Sequence, residues 1–191
     1  MALAYANIKV ELREISLRDR PQPLYEVSSK GTVPVLVTSD SLVIDESLDI
    51  MLWSLKQKEN QTWLIDNSEI DFINVHDLEF KKWLDRYKYH DRYPDYSKEY
   101  YRDKCSKILS TYEDRLSHTK CFMRDDISII DIAIFPFIRQ FANVDYNWFE
   151  NNYIYIKKWF ENISSSNLFK SVMYKYDTWD ESQNSKIIDF N

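Results

Sequence analysis

A chain of 191 residues carries a single glycine, Gly31. Ordinary usage would supply about a dozen, so the one retained is expected where a side chain is hardest to place. Phosphate loops and dinucleotide-binding turns each need several glycines close together. Those nucleotide-binding devices are therefore excluded.

The remaining composition describes a folded, aromatic-rich chain. Apolar residues make up 44% and charged residues 29%, which excludes wholesale disorder. Aromatics reach 16%, with 14 tyrosines, so much of the packing must set ring against ring. A net charge of −6 argues against generic nucleic-acid binding. The best apolar run, Ile127 to Ile138, is interrupted by Ser128, Asp131 and Pro136 and falls short of a bilayer span. The opening Met1-Ala-Leu-Ala-Tyr-Ala has neither the basic leader nor the apolar length of a signal peptide. Cys105 and Cys121 lack CxxC spacing, and His76, His90 and His118 lack metal-ligand spacing, so no disulfide framework and no metal are expected. The expected compartment is cytoplasmic.

Two textures divide the chain. Up to residue 57 the runs are short and hold most of the prolines. Residues 8–15 alternate strictly between apolar and polar, as a half-buried strand does. Val33 to Val37 and Ser41 to Ile44 predict two more strands, joined as a hairpin through Thr38-Ser39-Asp40. Asp45-Glu46-Ser47 opens a helix with Leu48, Met51, Leu52 and Leu55 on one stripe. Residues 56–67 are polar and read as a linker. Beyond it come amphipathic helices: one ending before Pro94, one from about Ser97, then 128–143, 152–163 and a short one near 166–174. The tail from Lys175 is polar and expected to be extended. The organisation is α/β over residues 1–57, followed by an all-α bundle over 68–191.

Two local patterns carry information beyond the fold class. Ser128-Ile129-Ile130-Asp131 is a capping box between the flanking apolar residues Ile127 and Ile132, and its role is structural. The second pattern is Lys30-Gly31-Thr32-Val33-Pro34-Val35-Leu36 followed by Asp45-Glu46-Ser47. A proline opening a strand cannot donate to the ladder. A cis Val33–Pro34 bond would place it there and leave the Val33 backbone free for an extended peptide ligand. The helix opening at Glu46 points free amides and its positive end at an anion. Ser47 adds a hydroxyl donor, and Glu46 an acceptor for an ammonium. Together these would receive an amino-acid zwitterion attached to an extended peptide. A plain strand–hairpin–helix with Ser47 as helix cap accounts for the same spacing.

On these residues the chain resembles the glutathione transferase family. Its thioredoxin-like first domain carries a cis-proline in a VPVL-type strand and a Glu-Ser pair at the next helix, and its helical second domain carries the capping box. The likeness covers nearly the whole chain. It implies a thioredoxin-like first domain, truncated at its start, followed by an all-helical domain. It further implies that Val33, beside Pro34, pairs with the cysteinyl backbone of glutathione. Glu46 and Ser47 would hold the γ-glutamyl end, and Lys30 would face the glycyl carboxylate. Glutathione would be a substrate, its thiol added to a small apolar electrophile or exchanged with a disulfide. The family commonly forms homodimers, although no exposed anchor in the sequence demands one.

The resemblance begins partway through the family's first helix. The preceding strand, with the Tyr, Ser or Cys that activates the thiol, is expected before Met1. About 15–25 further in-frame residues would supply it. Without that strand, the strand at 8–15 is expected to lack a partner. Activation requires a lowered thiol pKa, and Tyr5 lies too far along the helix to provide it. A non-catalytic glutathione- or protein-binding module that has lost the catalytic strand is the alternative reading. Tyr87, Tyr89, Tyr93, Tyr96, Tyr100 and Tyr101 read either as core or as the lining of an electrophile pocket.

Overall fold

A computed structural model of the chain describes residues 1–63, 66–180, 182 and 186–190. The described residues form α1 (Ala2–Tyr5), β1 (Val10–Leu12), α2 (Gln22–Val27), β2 (Leu36–Val37), β3 (Val43–Ile44), α3 (Ser47–Lys56), α4 (Asn67–Lys88), α5 (Lys98–His118), α6 (Ile129–Val144), α7 (Tyr146–Asn152), α8 (Tyr155–Ser165), α9 (Asn167–Ser171) and β4 (Lys186–Ile188). A single 3-10 turn at His90–Arg92 lies between α4 and α5. Part of the expected linker (residues 64–65) and part of the expected extended tail (181, 183–185, 191) lie outside the described residues. The chain divides into two compact units. One joins Met1–Gln61 to Asn167–Asn191, and the other is Thr62–Ser166.

The first unit is thioredoxin-like with a small sheet, and its sheet is split into two antiparallel ladders, β1 with β4 and β2 with β3. The hairpin expected at Thr38-Ser39-Asp40 forms. Its turn is tied by the Thr38 amide donating to the Leu42 carbonyl, with Ser41 at a φ of 66°. The first strand is shorter than the alternating pattern of residues 8–15 suggests. It also has a partner that spacing did not reveal: Val10, Glu11 and Leu12 face Ile188, Ile187 and Lys186. Around this ladder the Trp179 amide donates to the Glu14 carbonyl at 2.6 Å, and Lys9 and Asp189 pair at 2.7 Å. The tail from Asn167 therefore groups with the first unit rather than with the helices, because backbone pairing and the buried Ile188 side chain tie it there.

The second unit is all helix among its described residues. α4 packs on α5 and α6, α5 on α8, and α6 on α7 and α8. Its interior is aromatic, as the composition requires. Phe141 meets Tyr87 at 5.3 Å between ring centres, and Trp159 stands edge-on to Phe122 at 5.3 Å and 88°. Pro136 lies inside α6. It lies beyond the first turn, so it removes one ladder bond.

Carboxylates fix the starts of α4, α6 and α8. Asp66 and Glu69 form a capping box at α4: the Glu69 amide donates to Asp66 Oδ1 at 3.1 Å, and the Asp66 amide to Glu69 Oε2 at 2.9 Å. At α6 the fully buried Asp131 accepts from the Ser128 amide (2.8 Å), the Ser128 hydroxyl (2.9 Å), the Phe122 amide (3.0 Å) and Trp159 Nε1 (2.8 Å). The expected capping box is thus also the anchor of the 122 loop and of α8. Glu113, on α5, reaches the start of α8, where Ile154, Tyr155 and Ile156 donate their amides to its two oxygens at 2.7–2.9 Å.

Candidate functional site

The candidate site is built on the loop from Ser28 to Pro34 and the start of α3. Gly31 enters it at a φ of 58°, a left-handed conformation that side chains disfavour. A Cβ there would stand 2.3 Å from Tyr25 Cε1. The lone glycine is therefore retained for two reasons, its backbone conformation and the ring packed against it. The Gly31 amide donates to the Ser28 carbonyl at 3.0 Å, closing the turn that presents Lys30.

Lys30 meets two carboxylates from the start of α3. Its ammonium donates to Asp45 Oδ1 at 3.0 Å and to Glu46 Oε1 at 2.6 Å. Asp45 is held from its other side by the Ser28 hydroxyl, which donates to Oδ2 at 2.8 Å. That hydroxyl, then the Lys30 ammonium, keeps the Asp45 carboxyl below the usual carboxylate range, while Glu46 and then Asp45 raise Lys30. The bridge gives Lys30 partners within the chain, whereas the resemblance pointed it at a ligand carboxylate.

Glu46 is the N-cap residue of α3, in an extended conformation, and its side chain does not cap the helix. Ser47 is the first helical residue and is exposed. Among the described residues no side chain caps the first turn of this ten-residue helix, and the positive end of the helix lies beside the exposed Glu46 carboxylate. The Val33–Pro34 peptide is cis, and Val33 is 45% exposed. Within this unit the structure thus groups Lys30, Glu46 and Ser47 around one helix start. Ser28 and Asp45 are the members that spacing missed. Asp45 was visible beside Glu46, but its partner Ser28 lies 17 residues away across a folded loop.

Cys105, Cys121 and His76 lie in the second unit and are sealed. Burial pushes the thiols of Cys105 and Cys121 up to about 12, so neither is a thiolate at neutral pH. His76 is buried with Nδ1 2.8 Å from the Tyr112 hydroxyl, between Phe80 (4.8 Å between ring centres) and Phe137 (5.2 Å). Desolvation lowers its pKa to about 3. Of the tyrosine group, Tyr87 and Tyr101 are core, whereas Tyr96 is exposed. Among the described residues no group of three His, Cys, Asp or Glu could hold a metal ion, and no helix is long and apolar enough to cross a membrane.

Comparison with known proteins adds to this picture. Residues 1–63 match the glutathione S-transferase N-terminal domain, and residues 75–167 match the glutathione S-transferase C-terminal domain. No curated protein matches the chain. Among solved structures, BphK, a bacterial GST in a ternary complex, is 20% identical at a TM-score of 0.74, covering 89% of this chain and 88% of its own. A class Gtt2 glutathione S-transferase of Vibrio parahaemolyticus is 22% identical at 0.67, covering 85% and 82%. Poplar glutathione transferase F1 is 20% identical at 0.65, covering 80% and 78%. At this identity the structures speak for the fold. Matched to both family domains in their usual order, the chain belongs to the glutathione S-transferase family.

Proposed function

We propose that the first unit binds glutathione at the start of α3 and that the protein joins the glutathione thiol to a small apolar electrophile or exchanges it with a disulfide. One observation supports the binding site above the others: Glu46 already holds an ammonium, that of Lys30, at 2.6 Å, one residue from a helix start that no side chain caps. An acceptor for an ammonium and donors for a carboxylate thus stand side by side, which is what the α-amino and α-carboxyl groups of a γ-glutamyl residue require. In this reading Glu46 takes the ligand ammonium, while Ser47 and the first-turn amides take its carboxylate. The backbone of Val33, set by Pro34, pairs with the cysteinyl residue. Lys30, released from Glu46, faces the glycyl carboxylate.

In conjugation a carbon–sulfur bond forms as the leaving group departs with its electron pair and the thiol proton passes to water. In exchange the thiolate attacks one sulfur of a disulfide, and the other sulfur leaves as a thiolate. Neither Cys105 nor Cys121 can stand in as the nucleophile, since both thiols are buried and protonated. The same reading places the protein in the cytoplasm, and sedimentation decides whether it forms the homodimer common in the family.

Titration calorimetry with glutathione tests the site. Wild-type protein should bind, and Ser47→Ala should fold normally yet lose about 1–3 kcal/mol of binding. Unchanged binding by Ser47→Ala would reject the assignment. A thiol-conjugation assay with an activated aryl chloride then separates the enzyme from a module that binds glutathione without turning it over.

A further inference from the structure

The tip of the α4–α5 hairpin carries the opposite charge to the rest of its unit. Residues 81–107 hold nine Lys and Arg against five Asp and Glu, whereas the rest of the second unit, residues 62–80 and 108–166, holds six against thirteen. Three of the hairpin cations converge on one ring. Lys82 Nζ lies 5.0 Å from the Trp83 ring centre, the Arg86 guanidinium carbon 5.5 Å and Lys104 Nζ 5.5 Å. Lys104 also lies 5.0 Å over Tyr100, which stacks on Tyr96 at 4.1 Å and 14°. Tyr96 is 55% exposed, so the outer part of that stack faces solvent.

The three like charges repel one another. The indole face offsets part of that cost, yet among the described residues no carboxylate comes within 4.0 Å of Lys82, Arg86 or Lys104. Lys157 of the same unit, by contrast, pairs with Glu150. A cationic triad held over an aromatic ring and flanked by an exposed tyrosine stack has the composition of a protein-interface anchor, where Trp, Tyr and Arg dominate. Its size limits the partner. A duplex or an anionic membrane extends well past the Debye length of about 8 Å and would meet the acidic remainder of the unit. A short acidic segment would not.

We propose that this surface docks a short acidic segment of a partner protein, its carboxylates seated on Lys82, Arg86 and Lys104 and an aromatic residue laid on Tyr96. The test uses the full chain and a fluorescein-labelled peptide, Glu-Glu-Tyr-Glu-Glu, read by fluorescence anisotropy at low salt. The peptide should bind saturably and weaken as salt rises. Lys82→Glu with Lys104→Glu should weaken it about tenfold or more, and Tyr96→Ala about threefold. Lys170→Glu with Lys175→Glu, which changes net charge equally elsewhere, should leave binding within about twofold. Circular dichroism establishes that each variant is folded. Absence of saturable binding, or an equal loss in the control pair, would overturn the proposal. So would tighter binding of a 20-residue oligothymidylate to the same surface, or loss of a wild-type dimer in the Lys82/Lys104 variant, which would make the occupant a second copy of the chain.

Discussion

The two units put carboxylates at helix starts for opposite ends. In the helical unit, Glu113 fills the start of α8 with its own oxygens and takes three amides, and Asp131 lies buried at α6 with four donors. In the first unit, α3 has no such cap. Its neighbouring carboxylates, Asp45 and Glu46, instead hold an exposed lysine. A carboxylate sealed inside with its full set of donors is permanent structure, while one held by a solvated ammonium can exchange partners. The start of α8 also shows what a carboxylate does when offered to helix amides in this chain, whereas the N-cap side chain of α3 makes no such bond.

The largest test of that contrast is Asp131→Ala. It leaves four donors without an acceptor, two of them in the Phe122 loop and on α8, and should cost about 3–5 kcal/mol. Thermal unfolding followed by circular dichroism, with hydrogen exchange on α6, measures it. A loss below about 1 kcal/mol would mean that the buried carboxylate is not the anchor described.

The second test uses pH. His76 is uncharged in the fold, with a pKa of about 3 against 6.5 in its ordinary state. The unfolded chain therefore takes up its proton first, and stability falls as pH drops through 6.5. The loss should reach about 2 kcal/mol between pH 7.5 and 5, and His76→Phe should remove that slope. Asp45 acts in the same direction, but its folded pKa is depressed below 3.8. Its contribution is intact at pH 5 and goes only at lower pH, so the two residues separate on the pH axis.

Much of this was legible in the sequence where the signal is local. Ser128 and Asp131 stand three apart, and the apolar stripes of α4 and α5 mark the faces that are buried. Gly31 was legible as a hard position, though Tyr25, the ring that makes it hard, was not. Asp66, inside the stretch read as linker, and Glu69, just beyond it, carried a local capping signal. What stayed hidden was non-local: Glu113 capping a helix 41 residues away, Ser28 behind Asp45, and β4 behind β1. The β-branched pair Ile187-Ile188 was the only hint of that last strand, and strand pairing follows the folded path rather than the spacing.

Two smaller tests sharpen the contrast further. Gly31→Ala should cost about 1–2 kcal/mol in thermal unfolding, from its positive φ and from the Tyr25 ring. Adding Tyr25→Ala should return only the part due to the ring. Glu113→Ala should cost about 1 kcal/mol and leave α8 as open as α3. Weak acetate binding, seen as chemical-shift changes confined to residues 154–156 of that variant, would confirm the parallel. Shifts elsewhere would break it.

The pairing of β1 with β4 also sets an order of assembly. On the ribosome β1 emerges before the helical unit and β4 after it. Every residue from Thr62 to Ser166 is made between them, and that stretch is a unit of its own rich in local helical contacts. It can fold while translation continues. The first unit can close only after β4 is released, so what is made ahead of the helical unit is completed behind it.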